Sequence, residues 1–154
     1  MKIVVLVIEW IHVLFAIMAV GANATYGMWL RRASKKPEAL PFTLRTIKVV
    51  DDRLANPSYG GLLVTGLLMA FLSPIKLSTP WLLTGIILYV FVVALGLLGY
   101  SPTLKRQIQA AEGEGFGSGN YKRLARRGTM IGIVLAVLTV TIVFLMVVKP
   151  GVWD

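Results

Sequence analysis

Four apolar stretches constrain this chain more than any other feature: residues 3–30, 57–73, 80–100 and 128–148, each followed or preceded by polar sequence. A bilayer core about 30 Å thick is crossed by roughly 17–25 helical residues. All four stretches meet that length, the second at its short limit. Backbone polar groups must be satisfied inside lipid, which leaves helices or closed barrels. The alternation of polar and apolar residues that marks barrel strands is missing. The sequence is 56% hydrophobic, and its mean hydropathy is +0.76. It predicts an all-α integral membrane protein: one domain over residues 1–154, built as a bundle of four transmembrane helices.

Charge predicts how the bundle sits in the membrane. The formal net charge is +9. Arg31, Arg32, Lys35, Lys36, Arg45, Lys48 and Arg53 lie between the first two spans. Lys105, Arg106, Lys122, Arg123, Arg126 and Arg127 lie between the last two. Only Lys2, Lys76 and Lys149 fall on the opposite side. The positive-inside rule makes both basic loops cytoplasmic and both termini external, in a bacterial cytoplasmic membrane. The same side chains would attract anionic lipid headgroups. No nucleic-acid recognition motif accompanies them, so nucleic acid is not an expected partner. The chain has no cysteine, which excludes disulfides and thiol chemistry.

The start of the chain imitates a signal peptide, with Lys2, an apolar run and the small residues of AVGANA. Glu9 and His12 interrupt the apolar region, and Arg31-Arg32 resemble a stop-transfer flank. Residues 3–30 therefore read as a retained signal-anchor helix, with Trp29 at an interface. Phe42, Leu44, Ile47, Val50 and Leu54 recur at roughly helical spacing. They predict a short amphipathic cytoplasmic helix, about 42–55, lying on the membrane face or leading into span 2. Asn56-Pro57 suits a break or helix start, and Thr79-Pro80 a capped start of span 3. Ser101-Pro102 predicts a kink or a new helix. The short turn SPIKLSTP predicts that spans 2 and 3 are antiparallel neighbours. GEGFGSGN reads as a flexible loop; no strand precedes it and no Gly-Lys-Ser/Thr ends it, which argues against phosphate-loop chemistry. Trp153 is expected to anchor the tail.

The first span carries Glu9, the chain's single histidine His12, Asn23 and Tyr26. At about 100° per residue these fall on one face with Ala16 and Ala19. A charge at mid-bilayer costs about 2.5–3.5 kcal/mol on insertion scales, so the face should turn toward the bundle or water. Thr65 and Gly66 on span 2 and Tyr89 on span 3 are possible partners. Gly85, Gly96, Gly128, Gly132 and Ala136 read as helix-packing positions, where small residues allow close approach. Glu9 and His12, three residues apart, can touch or share a partner. Three readings stay open: a buried structural pair, a proton- or ion-handling site, and a haem or metal site centred on His12. A six-coordinate haem would need a second ligand from Met, Tyr, water or another subunit, because the chain has one His. A zinc or copper centre would need more than His12 and Glu9. No nucleophile motif is present.

The His in span 1, the basic loop, NPSYGGLLVTGL opening span 2 and LGYSPTLKRQIQAAE closing span 3 resemble a family of predicted bacterial integral membrane proteins of unknown function. In layout the chain is also similar to the membrane domain of copper-resistance D proteins and to the membrane-bound protoporphyrinogen oxidase group. The resemblance singles out His12, Pro57, Thr65 and Gly66. In the oxidase-like relatives it implies a haem or redox role for the first-span His together with a Lys in a later span; no Lys lies within a span here. The copper-resistance likeness implies metal handling. The leading expectation is a non-enzymatic membrane protein that packs with itself as a homo-oligomer or into a larger membrane complex. The alternative is a small-ligand, haem- or metal-binding, or proton-handling module using His12.

Overall fold

The computed structural model describes residues 2–150; the expected Trp153 anchor lies outside them. Among these residues the chain is helical with no strand. Helix α1 covers Lys2–Ala33. A 3-10 turn at Pro37–Ala39 leads into α2, Leu40–Val50. A π-helical segment, Asp51–Ala55, joins α2 to α3, Asn56–Leu72. Helix α4, Pro80–Ala94, passes through a second π-helical segment, Leu95–Tyr100, into α5, Ser101–Gly113. Helix α6 covers Gly119–Val148. Four continuous helical runs are long and apolar enough to cross a membrane: Lys2–Ala33, Pro37–Leu72, Pro80–Gly113 and Gly119–Val148.

Both π-helical segments have the same chemical cause. Pro57 and Pro102 have no backbone N–H, so neither can continue the regular ladder. In the turn before each proline the ladder widens by one residue. The Asn56 N–H donates to the Asp51 carbonyl and the Ser101 N–H donates to the Gly96 carbonyl. The helical runs continue through both prolines. The amphipathic helix therefore leads directly into span 2, one of the two arrangements expected.

Each crossing run exceeds the membrane it must cross. At about 1.5 Å per residue, the 32 residues of α1 reach well beyond a 30 Å core. The excess from every run gathers at the end that carries the two basic connections, called the basic end below. The principal core forms there, from Tyr26, Leu44, Ile47, Leu104, Ala110, Ala111, Tyr121 and Leu124. Leu44 and Ile47 are fully buried. Helix α2 turns Leu40, Leu44 and Ile47 inward, while Phe42 and Leu54 of the expected apolar stripe are exposed. An Arg45–Glu112 ion pair at 2.6 Å ties α2 to α5; exposed pairs of this kind add about 0–1 kcal/mol. Ser118 caps α6 by accepting from the Tyr121 N–H at 3.1 Å. The preceding turn needs glycine at Gly115, whose φ is 82°.

Within the spans the packing separates into pairs. Helix α1 packs most closely on α3, and α4 on α6, with a smaller α1–α6 contact between the pairs. The neighbour relation expected for spans 2 and 3 is not what forms: α3 and α4 have no extensive contact. A hydrogen bond from the Tyr89 hydroxyl to the Tyr59 carbonyl does link them. The reason lies in where the small residues face. A Cβ on Gly61 would meet the Phe15 ring of α1 at 2.5 Å, and one on Gly85 would meet Met146 of α6 at 2.3 Å. Each helix of the short turn thus makes its closest approach to a helix distant in sequence. The outward faces expose Phe71, Leu98 and Val140, as hydrocarbon permits.

Candidate functional site

His12 sits between α1 and α3. Its Nδ1 lies 2.7 Å from the Thr65 hydroxyl, and Thr65 is buried. The Thr65 hydroxyl in turn donates to the Gly61 carbonyl at 2.6 Å. A hydroxyl has one proton, and a carbonyl can only accept. With that proton directed to Gly61, Nδ1 must be the donor to Thr65. The imidazole is then the Nδ1–H tautomer, and Nε2 carries the free lone pair. Gly66 makes space for this arrangement: a Cβ there would approach His12 Cε1 to 3.3 Å. His12, Thr65 and Gly66, three residues singled out in the sequence, thus form one unit.

The hydrogen bond of the ring to Thr65 is made through Nδ1; Nε2 makes no side-chain-to-side-chain hydrogen bond among the described residues, and it is not among the sealed, unpartnered side-chain atoms. His12 is only partly buried, which leaves that nitrogen approachable from outside the chain. Glu9 does not serve it. Glu9 is exposed and makes no hydrogen bond to His12 among the described residues. Of Glu9 and His12 on that face, only His12 is engaged by α3.

A second polar cluster lies nearer the basic end. The Asn23 side-chain amide donates to the Tyr59 hydroxyl at 2.6 Å, and Tyr89 reaches the Tyr59 carbonyl. Asn23 and Tyr89 were legible as candidates; the residue that joins them, Tyr59, was not. Tyr26 lies in the adjoining core at 4% exposure, and its hydroxyl is sealed without a partner. Asp51 is also buried there, 3.5 Å from the Asn56 amide. Burial pushes its carboxyl above the usual range, with Asp52 acting in the same direction and Lys48 and Asn56 opposing. Asp51 was missed because it reads as one more charge in a charged loop. About three turns of α1, with Ala16 and Ala19, separate His12 from Asn23.

The packing positions divide likewise. Gly85 and Gly128 are buried against other helices, Gly128 facing Gln107 and Thr103. Gly96 and Gly132 have no neighbour within 4 Å of a built Cβ, and Ala136 is exposed. Among the described residues no three His, Cys, Asp or Glu side chains converge as a metal-binding group. His12 could therefore offer a metal one protein ligand.

Residues 6–150 match the family described as predicted integral membrane protein (DUF2269). The chain belongs to this family. The match agrees with the four membrane-crossing helices and with the first resemblance drawn from the sequence; it does not extend to copper-resistance D proteins or protoporphyrinogen oxidases. No curated protein and no solved structure matches the chain. What is established is thus an all-helical integral membrane protein of a family whose function is not established.

Proposed function

We propose that the chain is a non-enzymatic, ligand-binding membrane module in which His12 Nε2 is the contact atom. The observation that carries this is the asymmetry of the imidazole: Nδ1 is fixed by Thr65, while Nε2 is approachable and has no side-chain partner among the described residues. An imidazole oriented through one nitrogen and open at the other is arranged as a ligand. A haem would fit that donor better than a lone divalent ion, because its porphyrin supplies most of the iron's ligands and the protein need supply one nitrogen. Such a group would bring redox or gas-binding chemistry; His12 would hold it, and Thr65 would hold His12. The test is an absorption spectrum with metal analysis of the purified protein, beside a His12→Ala variant. A Soret band in the parent that is lost in a folded variant supports the proposal. A colourless parent that stays so when haem is added overturns the haem assignment.

A second reading is favoured by the uncovered small-residue face of α6. We propose that Gly132 and Ala136 receive a helix of another copy or of a larger membrane complex. Gly132→Leu should then reduce the assembled size in detergent. An unchanged size and melting temperature would mean that this face meets lipid.

The orientation that best fits the charge distribution puts both termini outside a bacterial cytoplasmic membrane and both basic connections inside. Cysteine introduced at Ser118 should resist a membrane-impermeant reagent in intact cells, while cysteine at Asp154 should react. Labelling of the Ser118 site from outside would reverse the topology.

A further inference from the structure

At the basic end, α5 and α6 present facing stripes of residues to each other. Arg106, Ala110 and Gly113 recur along α5 at helical spacing, as do Asn120, Arg123, Leu124 and Arg127 along α6. Between the stripes runs a groove of about 540 Å³. Ala110 and Leu124 give it an apolar floor, and three arginines line its walls.

Arg106, Arg123 and Arg127 have no ion-pair partner among the described residues. One acid, Glu114, also lines the groove at the loop end. It accepts from the Asn120 amide at 2.8 Å, and the Asn120 carbonyl faces Arg123 at 3.4 Å. Asn120 therefore stands between that carboxylate and Arg123. Three guanidiniums around one groove repel each other until an anion enters. Their planar forks fit phosphate oxygens in pairs, which lysine ammoniums do not. The neighbouring Lys105, Lys122 and Arg126 do not line the groove.

The position of the groove indicates the source of the phosphate. Arg127 is the last charged residue before the uncharged run 128–148 that crosses the membrane. Arg106 lies in the first half of α5, which follows directly on the π-helical segment that closes span 3. The arginine end of the groove thus meets the membrane at headgroup level, and its apolar floor suits the glycerol portion of a lipid.

We propose that this groove binds the phosphate of an anionic membrane lipid. Full-length protein in a non-ionic detergent would be titrated with phosphatidylglycerol, phosphatidylcholine or inorganic phosphate while thermal unfolding is followed. Phosphatidylglycerol should raise the melting temperature saturably. Arg106→Gln/Arg123→Gln/Arg127→Gln should raise the half-saturating concentration by about tenfold or more, the loss expected for charge-assisted hydrogen bonds. Lys105→Gln/Lys122→Gln/Arg126→Gln, with the same net charge, should titrate like the parent. Equal losses in the two triple variants would overturn the proposal in favour of diffuse attraction, as would no effect of phosphatidylglycerol. An equal, saturable effect of inorganic phosphate alone would overturn the lipid assignment.

Discussion

Gly61→Leu is expected to destabilise the bundle by about 3 kcal/mol, the upper end of overpacking costs. A Cβ at Gly61 would lie 2.5 Å from Phe15 Cε2 and 2.6 Å from Cδ2 and Cζ. An aromatic ring has few rotamers, and Phe15 is held between helices, so α1 and α3 would have to separate. The same two helices hold His12 against Thr65, and the variant should lose that hydrogen bond as well. Gly60→Leu is the control: nothing lies within 4 Å of its Cβ, and it should change stability little. Adding Phe15→Ala should rescue Gly61→Leu in part, because the two residues compete for one space. Gly85→Ala shows why distance alone does not rank these sites. Its Cβ would come within 2.3 Å of Met146, but of the terminal methyl of a flexible side chain, which can move. Melting curves in detergent would check all four. A Gly61→Leu chain as stable as Gly60→Leu would refute the close α1–α3 approach.

Thr65→Val is expected to act on stability and on binding at once. Valine preserves the shape of threonine and removes the hydroxyl to which His12 Nδ1–H donates. Interhelical hydrogen bonds in membranes average about 0.6 kcal/mol, with a maximum near 1.7. Stranding a buried donor costs about 1–3 kcal/mol. Thr65 is buried at 8% exposure but the His12 ring only in part, so the loss should fall between these limits, at about 1–2 kcal/mol. Thr65→Ser should restore most of it. If His12 ligates a haem, Thr65→Val should also weaken that binding by about 10–100-fold, as removal of orienting partners does. In a double-mutant cycle, His12→Leu should cost less in the Thr65→Val background than in the parent. Additive costs would show that the two side chains are not coupled.

The four membrane crossings were determined by the sequence alone, because lipid imposes a length and a hydropathy that a single segment satisfies by itself. A local disturbance at Pro57 and Pro102 was equally legible, following from a missing N–H, but both helical runs continue through it. The amphipathic character of α2 was visible too, but its destination was not: Leu44 and Ile47 needed the opposing faces of α1 and α5 to become fully buried. His12 and Thr65 stood out as polar groups in apolar surroundings, yet they are 53 residues apart and only the α1–α3 contact joins them. Tyr59, Asp51 and the arginine groove were hidden for the same reason. Each depends on residues from different helices meeting at one depth, which helical spacing within a segment cannot reveal. The pairing of spans also belonged to the tertiary structure. The short turn made α3 and α4 look like partners, but Gly61 and Gly85 direct their closest approaches to α1 and α6. Steric fit between distant segments decided which helices became neighbours, and so where the site could form.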